Sequence, residues 1–301
     1  MPLGLVTAGE SHGPALVAVL TGLPAGLTPT TDMIRGLQLF ADVPRAGDVE
    51  TSNERINRIH RMSYYSITSN TMSVFTDCPG REKLPYGADY VQPMGSLSAN
   101  FDYAAYLRNM QVQLVEGQSK AGLDAGNVAL KTPVYDWGYS GQFGDEINWG
   151  SSIVQVPYLL YKLYGDTQTM RDHYDAMKTY MDFVARRKAG TGANEHIVTA
   201  LLADWVASEQ TSQQLLGTWG YYLSAKYMSE MAALTGRNAD AERVLTDGLK
   251  RQPALGELQY SLGLLLAEQP RLPEAADALE RATKLMPQRA RAHYNLGLAR
   301  Q

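Results

Sequence analysis

"SSIVQVPYLLYKLYGD", Ser151 to Asp166, sets the architecture. Ile153, Val156, Leu160 and Leu163 recur at three- and four-residue spacing, the interval that lines one face of an α-helix. Gly165 reads as the stop of that helix, and Asp166 as the cap of a new one. The same texture extends in both directions. Asn53 to about Asn70 places Ile56, Ile59, Met62 and Ile67 on one face, with Ser52 as the N-cap. Asn100 to about Gln118 does so with Tyr103, Leu107, Met110 and Leu114. Further helices fit 167–187, 196–208 and 212–235. The connecting segments 76–98 and 121–150 are long for helix connections, and loops of that length are usually functional.

Outside this middle section the texture changes. Residues 1–30 are rich in Gly, Ala, Val and Leu and suit a strand, a glycine turn and a second strand. Beyond residue 236 come compact amphipathic helices that repeat. Pro253, Tyr260, Leu262 and Gly263 return at one constant offset as Pro287, Tyr294, Leu296 and Gly297. The offset matches the helix–turn–helix period of about 34 residues that marks a tetratricopeptide repeat, whose units bury their faces on one another.

The 301 residues suffice for one or two domains, and the 45% hydrophobic and 19% charged content is ordinary for a globular chain. A net charge of −4 gives no general pull toward nucleic acid or anionic lipid. No stretch is long and apolar enough for a membrane span. The N-terminal apolar run lacks a basic flank and carries Glu10 and His12, a poor secretory leader; the expectation from the sequence as written is cytoplasmic, with the compartment otherwise unknown. One cysteine, Cys78, rules out an internal disulfide, and it reads as a small buried filler. The five histidines (His12, His60, His173, His196, His293) are scattered, so no metal site is expected.

The chemistry concentrates in "TDCPGREKLPYGADY", Thr76 to Tyr90, where Asp77, Glu82 and Asp89 surround a Cys-Pro-Gly turn. From the residues alone two arrangements are open. The acids converge on a site, or Asp77 and Asp89 cap helices while Glu82 pairs with Arg81 or Lys83. A second loop, "TPVYDWGYSGQFGDEINWGSS", adds Asp136, Trp137, Asp145, Glu146 and Trp149. Rings beside acids suit a sugar subsite. Asp145 as an N-cap and Trp149 as core packing are the alternatives.

Three stretches in order, "FADVPRAGDVETSNERINRIHRMSYYSITSNTMSVFTDCPGREKL", "QFGDEINWGSSIVQVPYLLYKLYGD" and "LLADWV" followed by "GTWGYYLSAKYMSEMAALTG", resemble the catalytic domain of α-L-rhamnosidases, glycoside hydrolase family 78. The resemblance runs from near 38 to near 243 and implies an (α/α)₆ barrel and an inverting hydrolysis of rhamnosides. On it, Glu82 matches the general acid, and Asp77 and Asp89 match acids that hold the sugar hydroxyls and the oxocarbenium-like charge. Arg81, Tyr86, Trp137, Asp145, Glu146 and Trp149 fall in the substrate-binding loops, with Tyr86 where the family commonly has tryptophan. The pattern carrying the family's general base is not found; the chain passes into the repeats near "ADAERV" instead. The expectation is therefore a sugar pocket with impaired turnover, in a toroid short of about a third of its helices. Nothing in the spacing of Glu195, Asp204 or Glu209 supports a substitute.

"TAGESHGPALVAVLTGLPAGL" resembles the N-terminus of chorismate synthase, in which the histidine matched by His12 acts beside a reduced flavin. Nothing downstream resembles the rest of a flavin site, so no cofactor is expected. The resulting expectation is a mainly α chain. An incomplete (α/α)₆ barrel-like helical toroid (36–238) follows a short β-type chorismate synthase-like segment (1–35) and precedes tetratricopeptide helix pairs (239–301). Its expected partners are a rhamnose-containing glycan or glycoside and a protein on the repeat helices, with neither nucleic acid nor membrane. The competing reading is a non-catalytic helical scaffold that binds a protein through its repeats.

Overall fold

The computed structural model describes residues 4–8, 17–21, 41–133, 146–187, 197–204, 207–251 and 253–301. Strand β1 (Gly4–Ala8) pairs antiparallel with β2 (Val17–Thr21), Val6 opposite Val19; His12 lies outside the described residues. The other elements among the described residues are helices, and the chain divides into two compact units, with the boundary inside one helix. The first comprises Met1–Tyr106 and Lys131–Pro133, the second Leu107–Leu130 and Val134–Gln301.

In the first unit, helix α1 (Glu54–Asn70) starts at Asn53, whose side chain accepts the Arg55 N–H, and not at Ser52 as the sequence suggests. Buried Asn57 is the reason. It exchanges hydrogen bonds with the Thr51 backbone, 2.8 Å each way, and so fixes the chain just ahead of the first turn. The expected apolar face is present but turned outward: Ile56, Ile59 and Met62 are 47%, 56% and 62% exposed. Periodicity identifies a face without saying what covers it. The core of this unit is aromatic instead. Phe75 stacks on Tyr90 at 5.4 Å and meets Tyr103 and Tyr106 at 5.0 and 4.6 Å, which immobilises the segment entering the acidic loop. Short helices α2 (Gly87–Val91) and α3 (Met94–Asn100) follow that loop.

The boundary falls inside α4 (Ala104–Gly117), whose Leu107, Met110 and Leu114 belong to the second core. There α5 (Ile147–Gly150) leads into α6 (Ser152–Tyr164), which buries Ile153, Val156 and Leu160 completely and leaves Leu163 exposed in the last turn. Pro157 inside α6 removes the donor that would reach the Ile153 carbonyl. Gln111 from α4 supplies a substitute, its Nε2 donating to that carbonyl at 3.0 Å in the buried interior. Gly165 ends α6 at φ +71°, the left-handed region. Asp166 then takes the Gln168 and Thr169 N–H groups at 2.9 and 3.0 Å, and its other oxygen takes Arg108 Nε at 2.6 Å.

The helix expected over 167–187 is two, α7 (Gln168–Asp172) and α8 (Tyr174–Arg186), broken at His173. No helix occurs among the described residues of 196–208, where the Leu201 and Leu202 N–H groups turn to Glu146. Helix α9 (Gln213–Leu234) begins at Ser212, whose hydroxyl accepts the Leu215 N–H.

Four helices complete the second unit: α10 (Asn238–Arg251), α11 (Gly256–Glu268), α12 (Leu272–Leu285) and α13 (Ala290–Ala299). Both ends of α12 are displaced from those of α10 by the same interval that separates Pro253 from Pro287, and the start of α13 is displaced from that of α11 likewise. Helix α11 packs on α12 through Gly263, where an added Cβ would lie 2.5 Å from Leu279 Cγ and 3.2 Å from the Ala275 carbonyl oxygen. Gly263→Ala is therefore expected to destabilise this unit by about 1–3 kcal/mol. The matched change Gly297→Ala, with nothing within 4 Å, should be neutral or stabilise by up to about 1 kcal/mol. Thermal unfolding of the two variants side by side checks the contrast.

Candidate functional site

The acidic loop is closed by a reciprocal pair of hydrogen bonds. Asp77 N–H donates to the Leu84 carbonyl at 3.0 Å, and Leu84 N–H donates to Asp77 Oδ1 at 2.9 Å. Between them the chain turns through Pro79 and Gly80. It reverses again at Lys83, a non-glycine residue at φ +58°. Such a conformation persists only when its surroundings over-determine it, and here they do. Leu84 is 2% exposed, and buried Cys78 accepts the Glu82 N–H on its sulfur at 3.3 Å. The cysteine is thus a packed acceptor.

The Tyr86 phenol, just beyond this closure, feels the charges of all three predicted acids. Tyr86 is half-buried and its phenol donates to Glu82. Its ionisation is pushed well above the usual tyrosine range, first by burial, then by the charge and hydrogen bond of Glu82, then by the charges of Asp77 and Asp89. Tyr86 consequently remains a donor throughout the pH range of ordinary enzyme assays. The surface alternative for Glu82 is not realised: among the described residues neither Arg81 nor Lys83 forms an ion pair with it, although all three are exposed. Asp89 is exposed in the first turn of α2, whose N-cap position belongs to Tyr86, so Asp89 is not a cap.

One neighbour is not foreseen from the sequence. Lys131 forms an antiparallel bridge with Tyr86, and Thr132 N–H donates to the Pro85 carbonyl at 3.0 Å. Directly opposed residues in such a pair share a face, so the lysine, 7% exposed, stands on the Tyr86 side. Its distance along the chain from Tyr86, with no local pattern to mark it, hides this pairing from a sequence reading.

The second predicted loop divides. Trp137 and Asp145, with Asp136, lie outside the described residues. Glu146 is 2% exposed and is itself the N-cap of α5, the role the sequence offers to Asp145. Its Oε1 accepts from the backbone and side-chain nitrogens of Asn148 at 3.3 Å each. Its Oε2 accepts the Leu201 and Leu202 N–H groups at 2.5 and 2.8 Å. A carboxylate committed to four protein donors is a clamp between two chain segments, not an open contact for a sugar hydroxyl. Trp149 is half-buried in α5. Of the substitutes for a base, Asp204 accepts the Thr211 N–H at 2.8 Å and Glu209 is exposed.

The sequence signature of the bacterial alpha-L-rhamnosidase 6 hairpin glycosidase domain matches residues 44–247. The chain belongs to that family. An alpha-L-rhamnosidase of Streptomyces avermitilis is 26% identical over 233 residues, which is 76% of this chain and 21% of that protein. The crystal structure of native alfa-L-rhamnosidase from Aspergillus terreus superposes with a TM-score of 0.68 at 20% identity. It covers 92% of this chain and 34% of that one, a likeness of fold. The chain spans between 18% and 24% of the length of its rhamnosidase relatives. A chorismate synthase of Streptomyces avermitilis is 76% identical over 29 residues, 10% of this chain and 7% of that protein.

Within this rhamnosidase-family chain a cavity of about 710 Å³ opens between α8, α9, α10 and α11, lined by Met181, Trp219, Tyr222, Leu245 and Leu258 among others. All of its lining residues belong to the second unit, and none is a predicted site residue. Among the described residues no group of His, Cys, Asp or Glu is arranged to hold a metal ion, and no helix is long and apolar enough to cross a membrane.

Proposed function

We propose that the chain is a glycoside hydrolase domain acting on terminal α-L-rhamnosides by an inverting route, with Glu82 as proton donor. The observation that carries this reading is the acidic loop itself, closed by Asp77 on Leu84 with Glu82 exposed between them, inside the stretch that the family signature matches. Hydrolysis needs a carboxylic acid to protonate the leaving oxygen and negative charge near the oxocarbenium-like centre. In this reading Glu82 supplies the proton, Asp89 and the outer oxygen of Asp77 receive hydroxyls, and Tyr86 orients Glu82. Arg81, exposed beside it, contacts the outer substrate; the family resemblance alone assigns ring faces to Trp137 and Trp149. Rhamnose-containing glycosides are the substrate class supported by the family match. No general base is assigned, and the expected turnover is slow, because base catalysis ordinarily contributes about 10²–10⁴-fold.

The domain reading that accompanies it is a chorismate synthase-like segment at 1–35, a rhamnosidase-type domain at 36–238 and tetratricopeptide helix pairs at 239–301. The recurrence of helix bounds at one constant interval supports the last of these. It also favours a second reading of the whole, a non-catalytic helical scaffold. The experiment that separates them measures release of rhamnose from an aryl α-L-rhamnoside at high protein concentration, together with calorimetric titration of L-rhamnose. Release, or binding with slow release, is expected. A folded chain giving neither product nor heat would leave only the scaffold.

A further inference from the structure

The cavity of about 710 Å³ between α8, α9, α10 and α11 falls within the size range of small-molecule pockets, roughly 300–1,000 Å³. Its walls come from four successive helices and from Arg289 beyond α12. Trp219, Tyr222 and Lys226 follow one another at three- and four-residue spacing on α9 and so share one face of it. The two rings lie 5.6 Å apart, tilted by 40°, and Trp219, 56% exposed, stands where the hollow meets solvent. Leu245 and Met228, 2% and 4% exposed, form the closed side. Gly248 draws α10 close to α11, since a Cβ added there would lie 2.9 Å from Leu258 Cδ1.

The charges on the wall decide what kind of molecule fits. Lys178 pairs with Asp182 at 3.2 Å, Arg243 with Asp240 at 3.7 Å, Asp247 with Lys250 at 3.1 Å, and Arg289 with Glu257. Lys226, half-buried, is the one charged lining residue without an ion pair among the described residues. The wall therefore offers a single uncompensated positive charge beside two ring faces. Partial burial strips water from that ammonium, and an anion restores the lost interaction. A neutral apolar molecule would leave it unpaired, and a cation would be repelled. We propose that this cavity binds a small aromatic monoanion, a carboxylate or sulfonate. Its ring lies against Trp219 and Tyr222, and its charged head meets Lys226. The inference rests on α8 to α11 and does not depend on rhamnoside turnover, so the failure of either leaves the other standing.

The test uses the full chain and two fluorescent probes of nearly the same shape. 8-Anilinonaphthalene-1-sulfonate carries the anionic head, and N-phenyl-1-naphthylamine lacks it. Saturable binding at one site is expected, tighter for the sulfonate. Lys226→Met should weaken the sulfonate by about tenfold, the value of one hydrogen bond to a charged group. It should leave the neutral probe's affinity unchanged, which also shows that the variant is folded. Trp219→Ala, at an exposed position, should weaken both probes by about threefold or more. Ala185→Trp, which places a large side chain into the hollow from α8, should abolish binding of both. Absence of saturable binding to the folded chain overturns the proposal. So does a loss in Lys226→Met that the two probes share equally, or no loss at all. Binding that survives Trp219→Ala and Ala185→Trp, in protein with unchanged circular dichroism, also overturns it by placing the probes on other apolar surface.

Discussion

Glu82→Gln is expected to lower rhamnose release from an aryl α-L-rhamnoside by about 10²–10⁴-fold, the usual contribution of a positioned proton donor. The amide matches the carboxyl in shape and can still accept from Tyr86, but it carries no transferable proton. Thermal unfolding should move little, because Glu82 is exposed and the amide keeps an acceptor for the Tyr86 hydroxyl. Asp77→Asn would not be as clean a test. Asp77 Oδ1 holds the Leu84 N–H that closes the loop, so a rate loss there would mix chemistry with loop geometry. Tyr86→Phe is the informative companion. It removes the hydroxyl proposed to orient Glu82 and should cost roughly tenfold, the value of one hydrogen bond to a charged group. Equal rates for native protein and Glu82→Gln would end the assignment of Glu82, whatever the family.

The helices are readable where one stretch of chain contains its own instructions. Ile153, Val156 and Leu160 mark the buried face of α6, and Gly165 with Asp166 marks its end, because spacing and caps are local properties. The same logic finds the apolar stripe of α1 but not its environment, since Ile56, Ile59 and Met62 face outward. The Pro157 defect and its repair by Gln111 cannot be read together, because they lie on different helices far apart in the chain. The acidic loop shows the same division. Three carboxylates from Asp77 to Asp89 are visible in the sequence, whereas the closure of Asp77 on Leu84 beside a left-handed Lys83 is something no local preference predicts. The period of the C-terminal helices is visible as repeated letters. Only the packing reveals that Gly263 is covered and Gly297 is not.

Glu146 is where reading by neighbourhood fails most instructively, and the expected result of Glu146→Ala is loss of about 3–5 kcal/mol of stability. Two N–H groups, of Leu201 and Leu202, lose a charged acceptor worth roughly 1.5–3 kcal/mol apiece in gross terms. Helix α5 also loses its N-cap, a further ~1 kcal/mol, and exposed Leu201 allows water to recover part of the total. Glu146→Gln should fall between, at about 1–2 kcal/mol: the amide oxygen can serve the 201–202 segment, but its NH₂ then meets the two Asn148 donors. Denaturant unfolding followed by circular dichroism checks both magnitudes. A sugar-contacting carboxylate would give the opposite pattern, with unfolding unchanged in Glu146→Ala and only the calorimetric affinity for L-rhamnose reduced. The clamp predicts more than stability, because the segment it holds includes Asp204, fixed in turn by the Thr211 N–H. Releasing Glu146 should therefore raise amide exchange at Leu201 and Leu202 before the α6 core opens, a local unfolding that a surface substitution would not produce.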